Sequence, residues 1–572
     1  MRRYQTDVLI VGGGGAATAA TISAHDAGAR TMLAVKGRFG VPGMRGAGAT
    51  SNPLADFWTI RTVGPKGGFF NPPDQVYRDM LQTGLGMADP ALCRIFVDEV
   101  PEALSRLEKM GMRFQSKMLA TMPAKWGAGK TNHIVAVQKA VIEGTRTEIL
   151  EHANLVDLVV EDGRCQGAVG IDDEGQPFFV HAGAVILATG GVGQLFRYSF
   201  NPPGNTGDGY AMALRAGAEL FNMEFIQQGL ATTWPVQAMV MLYEMPEPYR
   251  LLNRHGKSFV QDYLPAGLSL EEVSRLKAYH WPVSCRDAAI HLDRAIHGEA
   301  CAGRGTEHDA VFLDLSRAKR GFQPELFVEY MSSRGIDIEH DLLQIQIHHH
   351  TQNGGIRIDT DCQSRVRGLF ACGEAGGYQG ADRLGGTMLG GSQVFGWRAG
   401  KKAAEVARDR PDPSGETGAL DRLEARTAQL RAARGRRRPG DLLPDLQRAM
   451  WRDLLVERSA QTLGRARQSI DDERDRLART LALVEPIDLA LAIEHQNLLD
   501  VAEVIIEAAT RRTESRGSHY RSDFPERNDA RWLTNLMATR RADGALELAE
   551  KWVAQEQGWI DQPGDVRIKP WG

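Results

Sequence analysis

Long apolar runs, closely spaced cysteines and an excess of positive charge are all missing from this chain of 572 residues. Without a run of about 18 apolar residues, the sequence predicts no integral membrane segment. The six cysteines form no CxxC pair, which argues against a resident ferredoxin-type iron–sulfur cluster. We expect no secretory leader and a reducing, cytoplasmic location. The net charge of −4 provides no overall basic field, so we predict that the chain binds no nucleic acid.

Glycine, in contrast, is abundant, with 62 residues, and indicates that the chain needs many tight turns. The buried strand pattern Asp7–Val11 runs directly into Gly12-Gly13-Gly14-Gly15-Ala16-Ala17 and then into an alanine-rich helix. Strand, glycine turn and helix follow one another in the order that a dinucleotide site requires. Gly12 permits the turn, Gly14 lets the backbone approach a pyrophosphate, and the small Ala17 lets the helix pack on the strand.

The second strand ends at Val35-Lys36, with no acidic residue to bind a ribose. This departs from the usual NAD pattern and leaves ribose recognition to other groups. A further buried strand, 184–189, enters the turn Gly190-Gly191. Asp208 is either an ordinary helix N-cap or a ligand for a cofactor hydroxyl, since both roles use the same oxygen geometry.

The order of these patterns predicts an α/β protein with a second unit inserted into the first. We assign residues 1–228 and 346–408 to a doubly wound, Rossmann-like domain and residues 229–345 to an α+β capping domain. A linker rich in proline, aspartate and glycine precedes a helical domain at 419–520 and a loop-rich C-terminal tail at 521–572.

Taken together, these pieces resemble the flavoprotein family of succinate dehydrogenase, fumarate reductase and L-aspartate oxidase. The adenylylsulfate reductase flavoprotein is a more distant likeness. The stretches that carry the resemblance are Val8 to Ala17, Ala184 to Gly191, Thr206 to Gly209, Met223 to Phe225, His350 to Gly355, Gly368 to Glu374, Ala381 to Gly396, Ser515 to His519 and Asp523 to Pro525.

The resemblance implies an extended FAD under a capping domain. Succinate dehydrogenases attach FAD through a histidine after the second strand, but Gly40 to Gly48 contains none, so we predict a noncovalent FAD. The residues predicted to contact it are Gly12, Gly14, Gly15, Ala16, Ala17, Lys36, Gly43, Gly46, Ala47, Gly48, Ala188, Thr189, Gly190, Asp208, Glu374, Arg383, Thr387, Met388 and Leu389.

The predicted substrate pocket departs from that family. Where dicarboxylate enzymes carry a histidine, this chain has Gly229, and Met245 most simply takes the place of the proton-transferring arginine. Arg383 and the HxxxGG histidine His350 remain, which predicts a small anionic substrate with a carboxylate, phosphate or sulfonate, other than succinate or fumarate. The alternative for Arg383 is a salt bridge to Asp382 or Glu374.

If the reaction is a dehydrogenation or its reverse, a second proton needs a carrier near the face opposite the flavin. Arg250 is the first choice and Glu247 a further catalytic candidate, with Glu244, Tyr249 and Tyr378 also considered. A solvated surface arginine is the alternative for Arg250. The tract His348-His349-His350 raises the option of a metal site, but neighbouring residues on a strand face opposite sides, and we predict no metal.

A second hypothesis makes the chain the flavoprotein subunit of a larger electron-transfer complex, similar to adenylylsulfate reductase. Its partner would be an iron–sulfur or ferredoxin-like protein, docked on Arg434 and Arg436 to Arg438. A solvated turn explains the same arginines. A homo-oligomer is also compatible with the sequence.

Overall fold

The computed structural model describes residues 1–51, 59–64, 71–114, 120–121, 134–239, 249–278, 280–317, 325–409, 416–541 and 543–552. Strands β1 to β10 cover Arg2–Val11, Thr31–Ala34, Thr59–Ile60, Ala120–Thr121, Glu148–Leu150, Asn154–Glu161, Arg164–Ile171, Pro177–Leu187, Leu220–Phe221 and Ile226–Trp234. Strands β11 to β20 cover Arg250–Leu252, Val311–Asp314, Leu343–Gln352, Gly355–Arg357, Leu369–Ala371, Gly376–Gly377, Glu457–Arg458, Tyr520–Arg521, Thr534–Arg540 and Leu546–Trp552.

Helices occur throughout the described chain and make up most of residues 387–511. Helices α1 to α7 cover Gly15–Asp26, Pro73–Thr83, Pro90–Lys109, Ile134–Glu143, Asp208–Arg215, Leu270–Lys277 and Ile290–Glu299. Helices α8 to α14 cover Glu325–Ser332, Thr387–Ala407, Glu416–Ala432, Pro439–Met450, Ala460–Thr480, Asp488–Arg511 and Asp529–Trp532. None of these described helices combines the length and apolar character needed to cross a membrane.

The main sheet has the strand order β5-β2-β1-β8-β7-β6, and β15 also pairs with β8. The pairs among β5, β2, β1, β8 and β15 are parallel, whereas β6 and β7 form an antiparallel extension. Val8, Leu9 and Ile10 of β1 are fully buried, as a continuous apolar strand in a parallel sheet requires. The predicted α/β class is confirmed.

Helices α1 and α9 pack side by side through small residues. A Cβ atom on Gly396 would lie 2.5 Å from the carbonyl oxygen of Ala16, and one on Gly400 would lie 2.3 Å from that of Ala20. These contacts run in register, so the helices are parallel. The N-termini of both helices point the same way. Helix α9 extends eight residues, or about 12 Å, past the first residue of α1 on that N-terminal side.

A second, antiparallel sheet has the strand order β10-β13-β12-β11; we refer to it as the capping sheet. Strand β10 crosses the predicted domain boundary at residue 228, and strand β13 crosses the predicted boundary at residue 345. The two strands therefore connect the capping sheet directly to the predicted Rossmann-like domain.

The helices after residue 416 pack on the antiparallel extension of the main sheet. Leu423 and Leu430 of α10 and Leu489 and Ile493 of α13 form one apolar cluster that also includes Val169 of β7. This packing brings one face of α13 next to the carboxyl ends of the parallel strands.

The prediction of a loop-rich tail is wrong for residues 534–552. Strand β19 pairs antiparallel with β9 and with β20, and this hairpin extends a sheet of order β16-β14-β9-β19-β20. Leu536, Met537 and Ala538 are buried there. A hairpin that completes an existing sheet buries apolar side chains through long-range contacts, for which the sequence gives only a weak local signal.

Candidate active site

A long cavity lies at the carboxyl ends of β1, β2, β8 and β15 and continues under the capping sheet. Gly12, at φ +126°, begins the turn after β1, and a Cβ atom there would lie 2.3 Å from the carbonyl oxygen of Ala188. The loop that contains Gly48 folds over this turn, since a Cβ atom on Gly48 would lie 2.6 Å from Cα of Gly14. Thr50 accepts a 2.7 Å hydrogen bond from the Gly15 amide. Only glycine permits these approaches.

Lys36 and three polar residues line one end of the cavity. The Lys36 ammonium lies 2.5 Å from Asp208 Oδ2 and 2.8 Å from Glu494 Oε1, and Asn497 donates to Asp208 Oδ1 at 2.9 Å. Burial would raise the pKa of Asp208, but Lys36 and the hydrogen bonds hold that pKa below its usual value, so Asp208 is an anion. It is the first residue of α5, with Gly207 as the N-cap.

The middle of the cavity is lined by the turn after β8 and by Glu374. Thr189 is notable because its buried hydroxyl has no hydrogen-bond partner among the described residues. Glu374 accepts a 2.9 Å hydrogen bond from the Gln352 amide, and burial raises the pKa of its carboxyl group. A Cβ atom on Gly191 would lie 2.1 Å from Glu374 Oε1, so glycine is needed there to admit this carboxylate.

The N-terminus of α9 faces the other end of the cavity. Gly386, at φ +81°, is the N-cap, and a Cβ atom on it would lie 2.5 Å from the Arg61 amide nitrogen. Met388 and Leu389 line the cavity beside it. Amides at the start of a helix of this length carry a partial positive charge and favour an anionic group.

Most of the predicted cofactor residues line this one cavity. These are Gly12, Gly14, Gly15, Ala16, Lys36, Gly46, Gly48, Ala188, Thr189, Gly190, Asp208, Glu374, Arg383, Met388 and Leu389. Ala17, Ala47 and Thr387 are buried beneath its wall. Gly43 lies on an exposed turn away from the wall.

Arg383 and His350 meet where the cavity passes under the capping sheet. Arg383 Nη2 donates a 2.5 Å hydrogen bond to Gln227 Oε1 and lies 3.4 Å from His350 Nδ1. Burial is the main cause, and the charge of Arg383 the second, that holds the pKa of His350 well below its usual value. The imidazole is therefore neutral near pH 7. Asp382, considered above as a salt-bridge partner for Arg383, forms its ion pair with Arg286.

Arg286 is a cavity-lining residue that the sequence reasoning missed. It lies just before α7 in the segment under the capping sheet, and its guanidinium contacts the buried carboxylate of Asp382. Ser284 donates to Asp382 at 2.6 Å and accepts from Arg286 Nε at 3.1 Å. The available signal was the adjacent pair Arg286-Asp287 at the start of an amphipathic helix, well separated in sequence from the candidates at residues 244–250.

Trp281 occupies the space above Gly229. A Cβ atom on Gly229 would lie 2.1 Å from Cζ2 of the indole, and Trp281 Nε1 donates to the Leu230 carbonyl at 3.1 Å. No side chain other than hydrogen fits at position 229 while the indole stays there. Where the dicarboxylate enzymes carry a histidine, this chain has Gly229, and the indole of Trp281 fills the space beside it.

The structure corrects the choice of Arg250. This residue lies on β11, its side chain is 46% exposed and its guanidinium pairs with Asp314 of β12; it does not line the cavity. The ion pair to the neighbouring strand holds it on the outer edge of the capping sheet. Glu247, together with Glu244 and Met245, falls outside the described residues.

The three adjacent histidines do not act as a set. His348 lies between the rings of Tyr198 and Phe200, with centroid distances of 5.1 and 5.2 Å, and His349 stacks on Phe196. Only the third of them, His350, lines the cavity. Within the described residues no group of histidine, cysteine and acidic side chains is arranged to hold a metal ion.

Comparisons with known proteins agree with this geometry. A family model described as an FAD binding domain matches residues 7–389, and one described as the C-terminal region of fumarate reductase flavoproteins matches residues 444–564. The chain belongs to the fumarate reductase and succinate dehydrogenase flavoprotein family. This flavoprotein is therefore an FAD-dependent oxidoreductase, which confirms the predicted family, enzyme class and cofactor.

The flavoprotein is similar along almost its whole length to several relatives. It is 32% identical to an FAD-dependent oxidoreductase of Methanocaldococcus jannaschii, covering 93% of this chain and 96% of that protein. It is 31% identical to a CoM/CoB fumarate reductase subunit of Methanothermobacter marburgensis, covering 94% and 98%.

Solved structures show the same fold. A variant of E. coli quinol fumarate reductase FrdA superimposes with a TM-score of 0.80 at 25% identity, over 97% of this chain and 98% of that one. The adenylylsulfate reductase of Archaeoglobus fulgidus, at 19% identity and a TM-score of 0.73 over 97% and 96%, shares the fold.

Proposed function

We propose that this flavoprotein binds FAD noncovalently and transfers hydride or electrons between it and a small anionic substrate other than succinate or fumarate. The observation that carries the proposal is the pairing of Arg383 and Arg286 with an indole, Trp281, above Gly229. The arginines provide for an anion, while the indole takes the space a second polar side chain would need.

The cavity suits an extended dinucleotide. Its glycine turn and the N-terminus of α1 would hold the pyrophosphate, and Asp208 with Glu494 would accept hydrogen bonds from adenosine hydroxyls. The Thr189 hydroxyl, which has no hydrogen-bond partner among the described residues, and the carboxylate of Glu374 would bind cofactor hydroxyls further along the cavity. The α9 N-terminus would stabilise negative charge on the ring system. When bound, FAD supplies the two-electron redox chemistry.

The chain's own residues would orient the substrate and manage a proton. Arg383 would bind the anionic group as a two-pronged donor, and His350, being neutral, would donate or accept one hydrogen bond. Arg286, held by buried Asp382, would replace Arg250 as the group that carries a proton in a dehydrogenation or its reverse. No proton carrier is needed if the reaction takes place at sulfur or another heteroatom.

Two measurements on the purified chain test this proposal. Acid precipitation should release a yellow flavin into the supernatant, as expected for a noncovalent cofactor. Anaerobic photoreduction followed by titration with fumarate, oxygen and a ferredoxin should then show which acceptor reoxidises the flavin. A protein-bound yellow pellet would contradict noncovalent binding, and rapid reoxidation by fumarate would contradict the substrate assignment.

A second candidate is an electron-transfer role within a larger complex. It is favoured by the relative from M. marburgensis, which is named as one subunit of a reductase. The arginines at 434 and 436–438 support this role less than the sequence suggests. Arg438 pairs with Glu485 and Asp488, and Arg437 lies 3.5 Å from Asp445. Rapid reoxidation by ferredoxin in the same titration, with none by small acids, would favour this role.

We also propose a cytoplasmic location. All six cysteines are free thiols within the described residues, as is usual in a reducing compartment.

A further inference from the structure

Two aromatic rings and an imidazole form one wall of the cavity under the capping sheet. Trp281 and Phe200 meet edge to face with centroids 5.5 Å apart, and Trp281 meets His350 at 4.9 Å. Phe200 and Trp281 are buried yet line the cavity. The indole cannot turn away freely, because its Nε1–H is bonded to the Leu230 carbonyl. This aromatic wall, Phe200, Trp281 and His350, is therefore a fixed, flat and largely apolar surface.

Four basic side chains of the described residues line the cavity near this wall. Arg383 donates to the neutral amide of Gln227. Three other basic side chains line the same end and are engaged by acceptors of the chain itself: Arg286 by Asp382, His280 by Asp287 and Arg61 by the Gly385 carbonyl. Arg383 also lies 3.4 Å from His350 of the aromatic wall, so the substrate end places a guanidinium beside a flat, largely apolar surface.

We propose that the substrate of this flavoprotein is a planar, unsaturated or aromatic monocarboxylate, bound with its carboxylate on Arg383 and its apolar arm against Trp281. This inference rests on the proposed function and adds the substrate class to it. A carboxylate prefers the two parallel N–H donors of a guanidinium. A planar arm gains from burial and from ring-to-ring contact with the indole.

A dicarboxylate fits this arrangement poorly. Its second carboxylate would face Phe200 and Trp281, where it would lose hydration and find no hydrogen-bond donor on the ring faces. The imidazole of His350 cannot act as a second cation near neutral pH, because burial and Arg383 keep it neutral. The wall therefore selects against a second charge as well as for an apolar arm.

Ligand-dependent thermal shifts and flavin absorbance changes on the protein as purified test the proposal. The probes are trans-cinnamate, crotonate, succinate and uncharged cinnamyl alcohol. We expect cinnamate to bind at least about tenfold more tightly than crotonate or succinate, since the aryl group adds buried area and an aromatic contact. Cinnamyl alcohol should bind at least about tenfold more weakly than cinnamate, because it lacks the charge for Arg383.

Substitutions of Trp281 test whether the aryl group of the ligand contacts this indole, because they should affect cinnamate but not crotonate. Trp281→Ala should weaken cinnamate at least about tenfold with little effect on crotonate, and Trp281→Phe should restore most of the loss. Trp234→Ala is the matched control, since this tryptophan of the capping sheet is 51% exposed and does not line the cavity. Circular dichroism and unfolding temperature confirm that each variant folds.

The outcomes divide cleanly. Tight cinnamate binding that Trp281→Ala abolishes supports the proposal. Succinate binding as tightly as cinnamate, or cinnamate binding that is unchanged in Trp281→Ala, overturns it. The flavin content of the same samples is determined in parallel, and a colourless protein contradicts the proposed function, while the thermal shifts still report on the ligand class.

Discussion

Arg286 forms an ion pair with the carboxylate of Asp382, the residue immediately before Arg383. One buried carboxylate thus ties Arg286, which lies under the capping sheet, to the loop that supplies Arg383. The C-terminal part of the chain supports the same junction. Ser518 donates to the Ala381 carbonyl at 2.7 Å, and the carbonyl of its neighbour in sequence, at position 517, accepts from the Cys285 amide at 2.8 Å.

Asp382→Asn should destabilise the protein strongly. Asp382 is 1% exposed, so its replacement leaves the Arg286 charge without its counter-ion in a largely buried place. Breaking such a pair costs about 3–5 kcal/mol. Urea unfolding measures the loss. Asp475→Asn is the control, because that residue pairs with Arg479 on the surface, where both side chains are mostly exposed, and should cost less than about 1 kcal/mol.

Arg286→Gln and Arg250→Gln should differ in turnover. Removing a positioned proton carrier lowers the rate by about 10²–10⁴-fold, and we expect this for Arg286→Gln. This variant also breaks the buried pair with Asp382, so its FAD content and its free energy of unfolding are measured beside its rate. Arg250→Gln should stay within about twofold of the parent, since its guanidinium is on the outer edge of the capping sheet. Stopped-flow reoxidation of photoreduced enzyme, with the acid that binds most tightly, gives both rates. Equal losses in the two variants would remove the case for Arg286.

Gly12→Ala should abolish stable FAD binding. The residue has φ +126°, and the added methyl group would meet the Ala188 carbonyl at 2.3 Å. Backbone strain of this kind costs about 1–3 kcal/mol, so FAD affinity should fall by roughly five- to a hundredfold. Gly28→Ala also has a positive φ, of +88°, but nothing lies within 4 Å of its added Cβ atom. The ratio of flavin to protein after gel filtration should fall in the first variant and stay unchanged in the second.

Local patterns in the sequence predicted the residues around the glycine turn that line the cavity. The turn at Gly12 to Ala16 and the start of α9 each depend on a short stretch in which strand, glycine and helix signals adjoin. Asp208 was singled out from its place at the start of a helix, and Glu374 from the resemblance.

The substrate end depends on contacts between distant segments, which local patterns do not encode. Trp281 reaches Gly229 across about fifty residues, and Arg286 reaches Asp382 across 96. Met245 was placed at the position of the family arginine, and Arg250 was chosen as the proton carrier, from their neighbours in the sequence alone. Glu494 was missed for the same reason, since a residue inside a long amphipathic helix gives no sign of what its face packs against.

Acidification below about pH 6.5 should destabilise the folded protein. Burial lowers the pKa of His297 and of His348 to about 4 and that of His349 to about 3. In this pH range the unfolded chain binds protons that the folded protein does not, so each histidine removes about 1.4 kcal/mol of stability per pH unit between 6.5 and its folded pKa. Above pH 6.5 the contribution is fully present.

Unfolding temperatures between pH 7.5 and 5 measure this slope. His348→Gln should reduce the dependence of the free energy of unfolding on pH by about one proton, or about 1.4 kcal/mol per pH unit. Glutamine keeps a donor for the Gln346 carbonyl but does not titrate. His255→Gln, at an exposed position, should leave it unchanged. A slope that is the same in all three proteins would show that His348 is protonated in the folded state.

Glu494→Gln should weaken FAD binding even though Glu494 lies far along the chain from the glycine turn. Its carboxylate accepts from Lys36 and from Arg45, each at 2.8 Å, and it lines the cavity beside Asp208. Since β2 ends without an acid, Glu494 of α13 would, together with Asp208, accept hydrogen bonds from the adenosine hydroxyls in the proposed function. A hydrogen bond to a charged acceptor contributes about 1.5–3 kcal/mol, so FAD should bind roughly ten- to a hundredfold more weakly.

Titration of apoprotein with FAD, followed by the quenching of flavin fluorescence, gives the dissociation constant. Glu485→Gln is the matched control, because Glu485 pairs with Arg438 on the surface just before α13 and does not line the cavity. The opposite result is physically meaningful: glutamine removes a negative charge near an anionic pyrophosphate, so tighter binding would show that repulsion outweighs the lost hydrogen bond. In that case the role of Glu494 would be to hold Lys36 and Arg45 in place, and the adenosine hydroxyls would be left to Asp208.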